Sequence, residues 1–413
     1  MSARRVRTSR AGKTATRPLL AAGSTAVLAL TLLGCSGSTG AGSGDGPGDG
    51  PGEASGAPES AGPAPTIDLN VRRGASGVPV DTRVTASARN GELKAVEITS
   101  PAGDLAGALE GTRFTAADLL EPGTTYRVRA VALGAEGERT VLRSRFSTAD
   151  LTLDQQTYAS VAPLDGETVG VGMPVAVTFD RPVTDRAAFE QHLEVTSTPA
   201  QRGSWHWLSD SEVHWRPKAY WQPGTRVQVD LGINGVAAGN GIYGQESRSL
   251  SFRVGEAHIY RVDGRSHQMK VFANGELLRT IPVTLGKAGF TTRSGTKVIM
   301  GKDETRRMSS ETVGIAAGSA DAYDIDDVRW AMRLTTSGEF IHAAPWSVGS
   351  QGRDNVSHGC TGLSTEDAGW LYELSRRGDV VEYTGTDRQM TVDNGYGDWN
   401  VDFAQYRRGS ALR

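Results

Sequence analysis

Tyr126-Arg-Val-Arg-Ala-Val-Ala132 opens with apolar and charged side chains in strict alternation, and Val175-Ala-Val-Thr-Phe179 and Val227-Gln-Val-Asp-Leu231 return to the same period of two. Alternate residues of a strand face opposite sides of a sheet, so this pattern describes strands with one face buried. Turn residues interrupt the runs roughly every ten positions, which predicts antiparallel strands in small sandwiches. A repeat pairs them. Gly77-Val-Pro-Val recurs as Gly172-Met-Pro-Val, and Pro122-Gly-Thr recurs as Pro223-Gly-Thr, at offsets of 95 and 101 residues. The spacing predicts two modules, at 66–149 and 150–254.

Their length suits an immunoglobulin-like sandwich. The second contains Trp205-His-Trp-Leu-Ser-Asp-Ser-Glu-Val-His214-Trp215. With Ser209-Asp210 as a two-residue turn, His206 is expected opposite Val213 and His214 opposite Trp205. The imidazoles then face opposite sides with no third ligand nearby, so they read as packing histidines and no metal site is expected. Asp324, Asp326 and Asp327 likewise read as a solvated loop.

Outward from the modules, the N-terminus changes character. Arg4, Arg5, Arg7, Arg10, Lys13 and Arg17 precede an apolar stretch from Leu19 to Leu33, and Leu32-Leu33-Gly34-Cys35 follows. A basic segment, a short apolar segment and a small residue before a cut describe an export signal at 1–34. Cys35 after Leu-Leu-Gly resembles a bacterial lipobox, which implies acylation of that Cys and attachment to the outer face of the cytoplasmic membrane, facing the wall. Residues 35–65 are nearly all Gly, Ser, Ala, Pro, Asp and Glu after the Cys. They have too little apolar area to offset ordering entropy, so a flexible tether is expected.

The 413 residues carry 44 basic and 47 acidic side chains, a net charge of −3. Removing 1–34 takes six positive charges and no negative ones, leaving 38 against 47, net −9. That anionic balance gives no nucleic-acid signature and leaves lipid, rather than a basic patch, to hold the chain at a membrane. No apolar run beyond the N-terminus is long enough to span a bilayer.

Beyond about residue 255 the pattern remains β-rich, with a hairpin expected at Asn274-Gly275. The chemistry concentrates in Ser337-Gly-Glu-Phe-Ile-His342-Ala-Ala-Pro-Trp-Ser347 and Ser357-His-Gly-Cys360-Thr-Gly362. A helix follows, with Ser364 as its N-cap and Ala368, Leu371 and Leu374 on one face. Besides Cys35, Cys360 is the chain's one thiol. A free thiol outside the cytoplasm is either buried and inert or has a task. As a nucleophile it needs a base, because only a few per cent of an ordinary thiol is ionised near neutrality. His342 and His358 are both candidates; residues 358 and 360 of an extended strand share a face. Gly359 lets a substrate carbonyl approach the backbone, whose N–H groups would stabilise an oxyanion.

These two segments resemble the signature of the L,D-transpeptidases, cysteine acyltransferases that cross-link bacterial peptidoglycan. Trp205-His-Trp-Leu, Arg216-Pro, Pro223-Gly-Thr, Trp370-Leu-Tyr, Arg377-Gly-Asp and Gly397-Asp-Trp-Asn extend the likeness to the lipoprotein type with two immunoglobulin-like domains. The resemblance implies a mainly β chain, with a catalytic domain at 255–385 and a C-terminal subdomain at 386–413. It implies Cys360 as nucleophile toward a tetrapeptide donor stem, and His342 as the general base that later serves an amine acceptor. It places Tyr323 beside the substrate and oxyanion region, Ser337 and Gly338 along the donor peptide, His358, Gly359 and Gly362 around the nucleophile, and Met308 in a lid. No cofactor is implied, and carbapenem β-lactams are expected inhibitors. Relatives often carry Ser after the base His and Asn two after the Cys, where this chain has Ala343 and Gly362. The Ala343 carbonyl remains able to hold the imidazole N–H; Gly362 removes an amide that would touch substrate. Two other functions stay open: a carboxypeptidase or hydrolase with the same Cys and His in which water takes the acyl group, and a non-catalytic wall-binding lipoprotein whose sandwiches do the work and whose Cys360 is idle. The aromatics Trp399, Phe403 and Tyr406 suggest that residues 386–413 dock back on the catalytic domain.

Overall fold

The computed structural model describes residues 63–412. The expected signal segment, Cys35 and nearly all of the tether lie outside the described residues. Pro65, assigned to the tether by composition, is buried, and its carbonyl accepts a hydrogen bond from Thr140 Oγ1 at 2.6 Å. The first sandwich therefore already begins at that proline.

That sandwich pairs two four-stranded sheets. In one, Thr125–Leu133 lies between Glu92–Ser100 and Arg139–Ser147. Tyr126, Val128 and Ala130 turn inward as their alternation requires, and the Tyr126 ring stacks on Phe146 at 5.3 Å. Its hydroxyl accepts the Glu121 N–H at 2.8 Å, so the ring is buried with its polar end satisfied.

The second sandwich is built around Trp205, Trp207, Trp215 and Trp221. Its Trp-rich hairpin differs from expectation. The turn is Asp210-Ser211, since Ser209 pairs with Glu212, and a bulge between Trp207 and Ser209 shifts the register. His206 consequently lies opposite His214, on one face rather than two. The three hairpin tryptophans take the core face, and the histidines meet the C-terminal segment.

The third domain, expected to be catalytic, has two sheets. Its five-stranded sheet sets His258–Asp263 parallel to Val380–Thr384, and the hairpin at Asn274-Gly275 has both turn residues at positive φ, 50° and 89°, as a type I′ turn demands. The four-stranded sheet runs Gly301–Ser309, Asp324–Arg333, Phe340–Ala343, Thr361–Leu363 in that order. Helix Thr365–Leu374 is capped by Ser364 Oγ, which accepts the Asp367 N–H at 3.1 Å, and it buries Ala368 and Leu371 in the core with Met332, Ile341 and Leu363. Asp324, Asp326 and Asp327 lie on a strand, not a loop: Arg307 spans Asp324 and Asp326, so the cross-strand cation makes an acidic strand tenable.

The C-terminal segment docks largely on the second sandwich rather than on the catalytic domain alone. His206 stacks on Tyr406 at 4.6 Å, and Arg216 lies over Trp399 and Tyr406 at 4.6 and 4.4 Å while donating to the Asp398 and Val401 carbonyls. Buried His214 donates to Asp398 and Glu212. Burial alone would lower its pKa, but the two carboxylates outweigh that and raise it to about 9. Asn400 completes the wedge by bonding Thr296 of the catalytic domain. Val298 and Val380 join the second sandwich's core, and the backbones meet where Gly172 N–H donates to the Gly378 carbonyl. Gly378 has φ +96°, and a Cβ there would stand 2.7 Å from Gly170 N, so this junction requires glycine.

Candidate active site

The parallel pairing of Phe340–Ala343 with Thr361–Leu363 sets Ile341 beside Thr361 and His342 beside Gly362. One step back, Cys360 comes level with Phe340. Neighbours in register point to the same face, as do residues two apart, so Cys360 and His342 emerge together diagonally across two strands. Both line a cavity of about 330 Å³. Gly362 faces His342 without a side chain; a Cβ there would come within 2.9 Å of Thr284 Cγ2 and 3.0 Å of Ala344 Cβ. Gly359 sits at φ +122°, a conformation that turns the chain into Cys360 and that a side chain would strain.

Hydrogen bonding separates the two histidines. His342 Nδ1 donates to the Ala343 carbonyl at 2.8 Å, which leaves Nε2 as the ring's acceptor. Burial pulls its pKa below the ordinary value, so it is a neutral base near pH 7. His358 instead turns Nε2 toward Asp321 at 3.4 Å, with its ring against Phe290 and Tyr323 at 4.8 and 5.1 Å. Burial pushes the Cys360 thiol up to about 11, and the S–H points at the Gly338 carbonyl, 3.7 Å away. The resting pair is thus a thiol beside an imidazole rather than a thiolate beside an imidazolium. Nucleophilic attack from this state requires proton removal as the bond forms.

A second cavity, of about 110 Å³, also reaches Cys360. Met308 and Tyr323 line both cavities and divide them. Burial and the Cys360 charge raise the Tyr323 phenol to about 12, so it stays protonated as a donor. Gly338 lines the smaller cavity at φ +95°, with Val313 of the Met308–Tyr323 connection packed against it. Ser337 lies outside both: its hydroxyl accepts from Asn394 Nδ2 at 2.9 Å. His358 forms part of the wall of the larger cavity, and Gly359, just before Cys360, lies near Glu339.

Sequence reasoning missed a buried ion cluster beside Cys360. Lys297 is fully buried and its Nζ lies 2.5 Å from Glu339 Oε2; Arg293 holds Oε1 at 2.8 Å. Lys297 also stands 3.8 Å from the Tyr383 ring centroid, and Tyr383 Oη meets Thr361 Oγ1 at 2.6 Å. The available signal was Glu339 itself, a charge one residue from Phe340 in an otherwise buried strand.

A bacterial Ig domain model matches residues 75–237, and an L,D-transpeptidase catalytic domain model matches residues 257–382. The L,D-transpeptidase 2 of Mycobacterium tuberculosis (strain CDC 1551 / Oshkosh) is 37% identical over 84% of this chain and 85% of its own length. The chain belongs to the L,D-transpeptidase family. The L,D-transpeptidase 1 of Mycobacterium tuberculosis (strain ATCC 25618 / H37Rv) is 40% identical over 55% of this chain and 84% of its own. A solved structure of an LD transpeptidase in complex with imipenem is 41% identical, covers 55% of this chain and 98% of that one, and superposes with a TM-score of 0.49. The L,D-transpeptidases are acyltransferases, and the match to their catalytic domain ends at Glu382, within the strand Val380–Thr384 that lies between His258–Asp263 and Gly295–Val298 in the five-stranded sheet.

Proposed function

We propose that this chain cross-links peptidoglycan by transferring an acyl group from a donor stem tetrapeptide, through a thioester on Cys360, to the side-chain amine of an acceptor stem. The observation that carries the reading is a protonated thiol and a neutral imidazole side by side on adjoining parallel strands, at the meeting of two cavities. Cys360 Sγ attacks the carbonyl of the third stem residue while His342 Nε2 takes the thiol proton. Tyr323 and backbone N–H groups near Gly359 favour the oxyanion. The carbon–nitrogen bond breaks, and D-alanine leaves with the proton returned by His342. The acceptor amine then attacks the thioester and yields its proton to His342; the carbon–sulfur bond breaks and the thiol is restored. The product joins two third-position residues.

Carbapenems would acylate the same sulfur, in line with the relative solved with imipenem. Export and acylation at Cys35 would hold the enzyme on the outer face of the cytoplasmic membrane, a reading supported by the residue order from Arg4 to Cys35. Incubation with a tetrapeptide donor, with and without an amine acceptor, tests the reaction. Release of D-alanine with a cross-linked dimer supports transfer, release with only tripeptide supports hydrolysis, and no release leaves the wall-binding reading. For the anchor, loss of membrane association in Cys35→Ser supports acylation; retention contradicts it.

A further inference from the structure

The smaller cavity at Cys360 is strongly cationic, lined by Arg306, Arg307 and Arg333. Two of these have carboxylates: Arg306 bonds Asp303 at 2.6 Å, and Arg307 bonds Asp324. Arg333 makes no ion pair among the described residues, although Asp303, held by Arg306, acts on its charge from a distance. Its Nη1 donates to the Thr335 and Thr336 carbonyls at 3.0 and 3.4 Å, which fixes the guanidinium, while its Nε and Nη2 have no hydrogen-bond partner among the described residues. The group lies 4.7 Å from the centroid of Phe340, the residue level with Cys360, and its charge reaches the sulfur, favouring the thiolate. A guanidinium immobilised on one side and open on the other is a fork for a planar anion.

The cavity's size narrows the choice of anion. At about 110 Å³ it is well below the ~300 Å³ of an ordinary ligand pocket. It holds a single small residue, with Phe340 and Val313 as apolar walls. In the acyl-transfer reaction above, a donor's last residue extends beyond the scissile carbonyl by one residue length, about 3.8 Å, and ends in a carboxylate.

We propose that Arg333 binds the terminal carboxylate of the residue that leaves, and so makes a free carboxylate one residue beyond the scissile bond a requirement for donors. The inference rests on the acyl-transfer reading and names its specificity determinant. Arg333 acts on substrate binding and orientation, and Cys360 and His342 do the bond making.

The test compares two synthetic donors, a tetrapeptide ending in a free acid and the same peptide ending in a carboxamide, by release of alanine or alanine amide. The carboxamide keeps one acceptor oxygen and loses the other with its charge, and one lost charge-assisted hydrogen bond corresponds to a preference on the order of 10- to 100-fold in kcat/KM for the acid. Arg333→Gln is expected to bring the ratio of the two donors within threefold of unity, by slowing the acid. Arg333→Lys, which keeps the charge without the fork, is expected between the two and guards against misfolding of the first variant. Equal use of both donors by the parent enzyme overturns the proposal even if transfer itself is robust. So does a persistent acid preference in Arg333→Gln. Failure of the parent to release anything from either donor would instead overturn the acyl-transfer reading on which the proposal stands.

Discussion

Glu339→Gln should loosen the strand carrying His342 far more than Lys297→Met, although each breaks the same ion pair. The Lys297 and Glu339 side chains are 0% and 6% exposed, and breaking a buried pair by removing one partner costs about 3–5 kcal/mol. The two losses differ in what stays behind. Without Lys297, the Glu339 carboxylate keeps Arg293 at 2.8 Å, so the cost falls to about 1–3 kcal/mol. Without the Glu339 charge, Lys297 and Arg293 face each other with no anion, and only the Tyr383 ring at 3.8 Å remains for the ammonium. Burial already holds Lys297 down at about 8 with its partner present. In Glu339→Gln it falls further and sheds its proton in the folded state, while the unfolded lysine stays protonated to about pH 10.4. The unfolded chain then binds the extra proton, so the variant's stability rises with pH up to that value. Hydrogen exchange of a peptide covering 337–344 reads this locally, without requiring a two-state transition of the whole chain. At pH 7, Glu339→Gln is expected to exchange on the order of 10² to 10³ times faster than the parent, and Lys297→Met about tenfold faster. After correction for intrinsic exchange, the gap should narrow by pH 9.5. Equal costs, or a larger cost for Lys297→Met, would refute the asymmetry.

Three further outcomes follow from the same physics. In His342→Ala, acylation should climb about tenfold per pH unit toward the thiol's pKa of about 11, whereas the parent, with a neutral base already present, should be nearly flat from pH 7 to 9; stopped-flow acylation by a carbapenem shows which holds. The His214–Asp398 contact should hold the C-terminal segment fully below about pH 6.5 and lose its contribution as pH rises through about 9, since the folded-state pKa is raised; protease cleavage within residues 386–413 should quicken above pH 9 in the parent but not in His214→Phe. Gly362→Asn should destabilise by about 1–3 kcal/mol from the contacts a Cβ makes with Thr284 and Ala344, and Thr284→Ser should recover part of this in thermal melts.

The sandwiches were legible because each alternating run buries one face, and Tyr126, Val128 and Ala130 obey that rule without help from the rest of the chain. The type I′ turn at Asn274-Gly275 was legible for the same reason: its geometry is set by two adjacent residues. The Trp-rich hairpin was not, since a bulge between Trp207 and Ser209 moved His206 opposite His214, and nothing local to that stretch marks the extra residue. Tertiary contact also decided the C-terminal segment, whose aromatics close on Arg216, a residue about 180 positions away. At the site, Cys360 and its choice of histidines were visible in two short segments. Proposing His342 rather than His358 as the base rests on the Ala343 carbonyl and the Asp321 contact of His358, which only the structure brings into view. Arg293, Lys297 and Arg333 were invisible because ordinary basic residues gain meaning only from what surrounds them, here a buried carboxylate for two and an open cavity for the third.

The central claim is that the sulfur of Cys360 carries the acyl group during turnover. Intact mass spectrometry of the protein quenched in acid during reaction with a tetrapeptide donor tests it directly. The account predicts an adduct equal to the donor less alanine, released by hydroxylamine and absent from Cys360→Ala. A parent enzyme that releases D-alanine without that adduct under rapid quench, or an equal adduct on Cys360→Ala, would contradict it.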